Sequence, residues 1–293
     1  MQLTILAKSA EMPELNSLKG FLQSEGVGVA QTQALPIPKT LEGQRSALRL
    51  SLTGNTSHLD PRDIVLSGLK DGVDANLHRA KEHAPDIKLA VFDMDSTLIQ
   101  CEVIDELAKH AGVGDRVVDI TERAMRGELD FNESFTERLG LLNGLDARVA
   151  KKVAASLPFS EGAHELMLTL RARGVRTVVL SGGFDVFADS VITALKMDEY
   201  MANTLEIVDD KLTGRVVPPI VNADEKRARL VAIAKSMSID LSQTMAVGDG
   251  ANDLKMLQAA GIGIAFRAKP VVREQARYQL THVGLDGALY LMG

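Results

Sequence analysis

Two aspartates one residue apart, Asp93 and Asp95, close the apolar run Leu89–Phe92, with Ser96 and Thr97 just behind them. Val91 and Phe92 favour a strand, and the residues that follow open a loop toward a helical pattern. A buried strand therefore delivers carboxylates at its carboxyl edge, where open α/β sheets bind ligands. Buried carboxylates are costly unless a charge compensates them, so the pair asks for a cation and a reaction. Three further segments offer complementary chemistry. Thr177–Gly183 reads TVVLSGG, a strand ending in Ser181, Gly182 and Gly183. Asn222–Leu230 reads NADEKRARL, with Lys226 in the first turn of a helix. Ala246–Leu254 reads AVGDGANDL and sets Asp249, Asn252 and Asp253 around a glycine turn.

Each segment has an ordinary explanation when taken alone. Ser181 suits a helix cap, the glycine pair a tight turn, and Asp249 and Asp253 turn and cap positions. Lys226 would be a solvated charge, although a cation near a helix N-terminus is disfavoured by roughly 0.3–1 kcal/mol. Chance rarely produces the whole order DxDxT, Ser-Gly, Lys, GDxxxD. Together these residues supply carboxylates, a hydroxyl, free amides and one ammonium.

The elements that must position them alternate. From Lys88 onward the apolar strands Leu89–Phe92, Thr177–Leu180, Thr244–Val247 and Gly263–Phe266 are separated by helical patterns at Glu161–Arg173, Asp185–Lys196, Asp224–Met237 and Asn252–Ala260. This predicts a doubly wound parallel sheet, an α/β fold spanning residues 86–293. Two insertions interrupt it: an almost wholly helical one at about 101–158, and a hairpin at about 203–217 around Asp209 and Asp210. Residues 1–80 read as a smaller α+β module. Its strands are Leu3–Ala7, Val27–Ala34 and Ser46–Thr53, and its helices Pro13–Glu25 and Asp60–Asn76, the second begun by Asp60 as cap and Pro61. The polar stretch His78–Pro85 divides the two parts.

Composition narrows the choices. The 293 residues suit two domains, and 33 Lys and Arg scattered among 39 Asp and Glu leave no basic footprint for nucleic acid. An anionic substrate must then be attracted by a local site. The single cysteine, Cys101, excludes an intrachain disulfide and reads as a small buried hydrophobe. The N-terminal residues lack a signal-peptide pattern, and no window reaches the ~18 uncharged apolar residues a bilayer span needs. A cytoplasmic protein with no membrane association is expected.

The four segments resemble the motifs of the haloacid dehalogenase superfamily of phosphatases, from roughly Lys88 to the end of the chain. The resemblance implies that Asp93 attacks phosphorus and becomes an aspartyl-phosphate. It implies that Asp95 protonates the leaving oxygen and later deprotonates the attacking water. Ser181, Gly182, Gly183, Lys226 and Asn252 would hold the phosphoryl group, and Mg²⁺ would be bound by Asp93, the backbone carbonyl of Asp95 and Asp249. Asp253 would stand behind them and orient Lys226. The choice is chemically reasonable: Mg²⁺ prefers hard oxygen ligands and lets an ionised carboxylate approach a phosphate. Covalent catalysis divides the hydrolysis into two easier steps.

The helical insertion follows the first motif directly, as a closing cap would. Within it, Phe131 belongs by spacing to the apolar stripe Phe131, Phe135, Leu139 and Leu142, and Glu102 and Arg138 would ordinarily be solvated. The runs FDMDSTLIQCEVIDELA and MRGELDFNESFTERL, however, resemble those of the phosphoserine phosphatase branch. That resemblance gives Glu102 the substrate ammonium, Arg138 the substrate carboxylate, and Met125 and Phe131 the pocket walls. The implied substrate is O-phosphoserine, with phosphohomoserine as the alternative. The first 80 residues resemble an ACT-type module in element order, which implies L-serine sensing or assembly into a homodimer.

Overall fold

A computed structural model describes residues 1–78 and 86–292, the Met125 side chain excepted. The first part contains β1 (Gln2–Ala7), α1 (Asn16–Ser24), β2 (Gly28–Ala34), β3 (Ser46–Thr53), α2 (Pro61–Lys70) and β4 (Asp74–His78). Its strands form an antiparallel sheet in the order β2-β3-β1-β4. Leu3, Ile5 and Ala7, alternate residues of β1, share a core with Leu18, Leu22 and Ile64 of the two helices.

The helix expected over Asp60–Asn76 begins as read, with the Asp60 side chain accepting from the Arg62 N–H, but it ends at Lys70. Asp71 turns away to accept from the N–H groups of Ser17 and Leu18 at 2.9 Å each. Gly72, at φ +75°, then reverses the chain. Val73, Ala75 and Leu77, apolar at every second position, enter the module's core from one face of the strand that follows. The boundary expected at His78–Pro85 lies outside the described residues beyond His78, which closes β4.

The second part begins with β5 (Leu89–Phe92). The insertion follows as α3 (Val103–Ala111), α4 (Gly114–Met125), α5 (Phe131–Gly140) and α6 (Ala147–Ala154). After it come α7 (Ala163–Ala172), β6 (Arg176–Phe184), α8 (Asp185–Leu195), β7 (Glu199–Asn203) and the hairpin β8 (Ile207–Val208) with β9 (Lys211–Leu212). The chain continues through α9 (Ala223–Ser236), β10 (Thr244–Gly248), α10 (Leu254–Ala259), β11 (Ile262–Phe266), α11 (Pro270–Arg273), β12 (Tyr278–Leu280) and α12 (Ala288–Leu291). The six-stranded sheet has the order β12-β11-β10-β5-β6-β7 and every pairing in it is parallel.

Alternation along β5 explains the double winding. Ala90 and Phe92 enter a core with Leu166 of α7 and Phe187 of α8. Leu89 and Val91 enter the opposite one with Leu230 of α9 and Met256 of α10. The strand order reverses between β5 and β10, and such a switch point leaves a crevice at the strands' carboxyl ends. The short edge strands β7 and β12 extend the four strands read from sequence. No helix of the described residues is long and apolar enough to cross a membrane.

Candidate active site

Phe92 of β5 pairs with Val247 of β10, and the Asp93 N–H still donates to the Val247 carbonyl at 2.9 Å. Beyond that bond the strands diverge, so Asp93 and Asp249 emerge side by side. Asn222 caps α9 by accepting from the N–H groups of Asp224 and Glu225. Lys226, one turn later, points into the protein and is 0% exposed. Its Nζ lies 2.8 Å from Asp93 Oδ1 and 2.7 Å from Asp253 Oδ1. Asp253 Oδ2 accepts from the N–H groups of Asp249 (3.1 Å) and Gly250 (2.9 Å). Thr97 Oγ1 donates to Asp249 Oδ1 at 3.2 Å.

Oxygens of Asp93, Asp249 and Asp253 lie within 4.8 Å of one another. The three are not equivalent, because both oxygens of Asp253 are engaged, with Lys226 and with two amides. Asp93 and Asp249 each keep one oxygen without a hydrogen bond among the described residues. A hard divalent cation fits that donor pair, with Asp253 behind it fixing the lysine. Electrostatics agree. Burial, then Asp253, raises the Asp93 carboxyl well above the ordinary range despite Lys226. The same two causes push Asp249 up to about 7. Lys226 and, at Asp249, Lys269 oppose these causes without offsetting them.

Asp95 opens onto the neighbouring cavity. Burial first, and Glu102 second, raise its carboxyl well above the usual range, although Oδ1 accepts from the Val103 N–H at 3.2 Å. The direction favours the protonated form, the one a general acid needs. Ser181 sits in an irregularity of β6 between Leu180 and Phe184, its Oγ accepting from the Gly183 N–H at 2.8 Å. It does not cap α8, whose first turn has no side-chain cap.

Both glycines beside it permit close approach. A Cβ at Gly182 would stand 3.0 Å from Phe131 Cζ, and one at Gly183 would stand 2.6 Å from Asp95 Oδ2. Gly183→Ala should displace the Asp95 carboxylate and lower kcat by about 10²-fold, the usual scale for a misplaced catalytic group. Steady-state kinetics alongside a melting curve check this. An unchanged kcat would show that Asp95 needs no such placement.

A cavity of about 820 Å³ covers these groups, lined by Asp93, Asp95, Gly182, Gly183, Asp249 and Asn252 from the sheet edge and by Glu102, Phe131 and Arg138 from the insertion. Ser181, Lys226 and Asp253 lie beneath its floor. Ser96, at φ +55°, donates from Oγ to Glu102 Oε1 at 2.7 Å. Arg138 forms no salt bridge among the described residues, and Nε reaches only the Ser134 carbonyl at 3.3 Å. Burial lowers its guanidinium's affinity for a proton, against the opposing pull of Glu102, Asp105 and Asp95. Phe131 keeps to its stripe, stacked on Phe135 with ring centroids 6.2 Å apart, and both rings line the cavity, while Leu139 and Leu142 are buried in the core. Met125 ends α4, and its side chain lies outside the described residues. Burial and neighbouring carboxylates push the Cys101 thiol up to about 11, so it is not a thiolate.

Two residues were missed from sequence. Lys269 lines the cavity, its N–H donating to the Asp249 carbonyl at 3.0 Å and its Nζ 3.9 Å from Asp249 Oδ2. A lysine before a helix-opening proline, just past a strand at the same edge, was the available signal. Asn132 of the insertion meets Asn222 of the core across the cavity mouth at 3.5 Å and carried no signal.

Residues 90–258 match the family model of haloacid dehalogenase-like hydrolases. A curated phosphoserine phosphatase of Streptomyces coelicolor is 50% identical over 222 residues, 76% of this chain and 54% of that protein. Another, of Streptococcus thermophilus, is 50% identical over 197 residues, 67% of this chain and 92% of that protein. The chain thus spans about half the length of the first and nearly all of the second. The crystal structure of a haloacid dehalogenase family hydrolase from Salmonella enterica serovar Typhi superposes with a TM-score of 0.86 at 32% identity, covering 100% of this chain and 99% of that one.

Proposed function

As the chain belongs to the haloacid dehalogenase-like hydrolases and, among them, to the phosphoserine phosphatases, we propose that it hydrolyses O-phospho-L-serine to L-serine and phosphate, the closing step of serine biosynthesis. The observation that carries the substrate is the cavity itself. Its lining includes the Arg138 guanidinium, in no salt bridge among the described residues, the Glu102 carboxylate and Asp93. Those groups match the carboxylate, ammonium and phosphate of one small molecule.

In this reading Asp93 attacks phosphorus through its carboxylate. The serine Oγ–P bond breaks, and the leaving oxygen takes the proton held by Asp95. Asp95, now ionised, removes a proton from a water that attacks the aspartyl-phosphate, freeing phosphate and Asp93. Lys226 fixes Asp93 for attack and shares the charge on the phosphoryl oxygens with the Ser181 hydroxyl and the Gly182 amide. Bound by Asp93, the Asp95 carbonyl and Asp249, Mg²⁺ would offset the phosphate's charge and align it with Asp93. Phe131 and the cap helices keep bulk water from the intermediate.

The reading assigns residues 86–293 to catalysis, with about 101–158 as cap and about 203–217 as the hairpin packed on it, in a cytoplasmic protein. Residues 1–80 serve L-serine sensing or homodimer assembly. Calorimetry with L-serine separates those two roles, a second site besides the product's place in the catalytic cavity marking sensing and a single site marking assembly.

Arg138→Ala tests the substrate. The loss of charge-assisted hydrogen bonds to a carboxylate should raise KM for phosphoserine by about 10–100-fold. An aryl phosphate, which has no carboxylate, should change little. Equal effects on both substrates would remove the carboxylate role.

A further inference from the structure

We infer that Arg45, on the N-terminal module, is a positioning residue for the cap, because its guanidinium clamps Glu161 at the core end of the cap's return strand. The cap leaves and rejoins the core through two short paired segments. The Gln100 N–H donates to the Pro158 carbonyl (2.8 Å) and Gln100 Nε2 to the Phe159 carbonyl (2.7 Å). The Ser160 N–H donates to the Leu98 carbonyl (2.9 Å). Glu161 is the next residue, so whatever holds it sets where the return strand begins.

Glu161 is held from three sides. Arg45 reaches Oε1 at 2.6 Å, while Lys8 and Arg267 reach Oε2 at 2.6 and 3.0 Å. Its carbonyl accepts from the Leu285 N–H at 2.8 Å. The Arg45 side chain is 3% exposed and also faces Asp286, itself 1% exposed, at 3.3 Å. Gly162, at φ +76°, lies so close to Asp286 that a Cβ would stand 2.1 Å from Oδ1. The segment therefore has little room to shift while Asp286 stays on Arg45.

The other polar contacts of the module with the core lie elsewhere. Asp74 accepts from the N–H groups of residues 281–283, Asn76 exchanges two hydrogen bonds with the Gln279 backbone, Arg49 donates to the Tyr290 carbonyl, and the Tyr290 hydroxyl donates to the Pro36 carbonyl. These dock the module without touching the chain that enters or leaves the cap. Arg45 and Lys8 do touch it, and Lys8 is half exposed, which weakens its pair. A buried guanidinium shared by the buried Asp286 and the part-exposed Glu161 is geometrically demanding; removing it strands Asp286 and leaves Glu161 only its more exposed partners Lys8 and Arg267.

The consequence concerns cap-borne recognition, so it rests on the phosphoserine reading. Arg138 and Glu102 are carried by the insertion, whereas Asp93, Asp249 and Lys226 belong to the core. Freeing Glu161 should cost affinity for a substrate gripped by the cap and spare one gripped by the core alone.

The test compares full-length Arg45→Met, Arg45→Lys, Glu161→Gln and Asn76→Ala, the last removing a docking contact remote from the hinge. Arg45→Met and Glu161→Gln should raise KM for phosphoserine about fivefold to tenfold, with kcat and aryl-phosphate kinetics nearly unchanged. Both should speed amide exchange at residues 98–103 and 157–162. Arg45→Lys should restore part of each effect, and Asn76→Ala should lower Tm without either. If Arg45→Met fails to fold, Glu161→Gln decides alone. The inference is overturned if the clamp variants match Asn76→Ala in KM and hinge exchange, or if both substrates suffer equally. Wild-type protein inert on phosphoserine would instead defeat the substrate reading, and the hinge exchange would still judge the clamp.

Discussion

Asp93→Asn should lower phosphate release by about 10⁴–10⁶-fold, the scale at which loss of a nucleophile is felt, and leave the fold intact. An amide keeps an oxygen that accepts from the Met94 N–H and from Lys226, the two donors at Asp93 Oδ1. It lacks the carboxylate that would form the acyl-phosphate intermediate. The stability side follows from charge. Burial raises the Asp93 carboxyl well above its ordinary range, so the folded, metal-free protein carries this carboxylate at a cost. Asparagine removes that cost, and the metal-free variant should melt at or above the wild-type temperature. Phosphate-release kinetics and a melting curve without metal check both halves. Near wild-type turnover would show that Asp93 is not the attacking group.

Lys226→Met should be damaging in a different way. The ammonium is fully buried between Asp93 and Asp253, and taking away one member of such a cluster costs ~3–5 kcal/mol. Activity should fall by about 10²–10³-fold as phosphoryl charge loses its donor. The pH dependence carries a sign. Burial pulls the Lys226 ammonium down, but Asp253 and Asp93 outweigh it and hold the folded-state pKa above the ordinary value. Its stabilisation is therefore complete across neutral pH and fades only as pH rises through that high value. In the variant the carboxylates stand unbalanced, so the metal-free protein should lose stability as pH rises from about 4 through the Asp249 transition near 7. Denaturant unfolding at pH 5 and pH 8 measures this. A variant as stable as wild type at both would contradict the burial of a working charge.

The parts of the site that lie at strand ends were legible in the chain. Asp93 and Asp95 follow an apolar strand, and Asp249 follows another, so a parallel sheet brings them to one edge. Lys226 stood out because its place in a first helical turn is unfavourable; the structure explains it by sinking the side chain between two carboxylates. Features that depend on packing were not legible. The end of α2 at Lys70 depends on Asp71 turning to accept from the Ser17 and Leu18 N–H groups of α1, a contact between distant segments. The strands β7 and β12 are short and lie at the sheet edges, where local propensity is weak. Arg45 and Glu161 are 116 residues apart, and nothing in either neighbourhood announces the pair.

The central claim is Mg²⁺-dependent hydrolysis of phosphoserine, and one substrate panel tests it most directly. Phosphate release from O-phosphoserine, O-phosphothreonine and phosphohomoserine should be measured with Mg²⁺ and again with excess chelator. The account predicts that phosphoserine has a kcat/KM at least about tenfold above the others, the discrimination one extra methylene allows, and that the chelator abolishes release from all three. Release that persists in chelator, or a preference for phosphothreonine or phosphohomoserine, would contradict it.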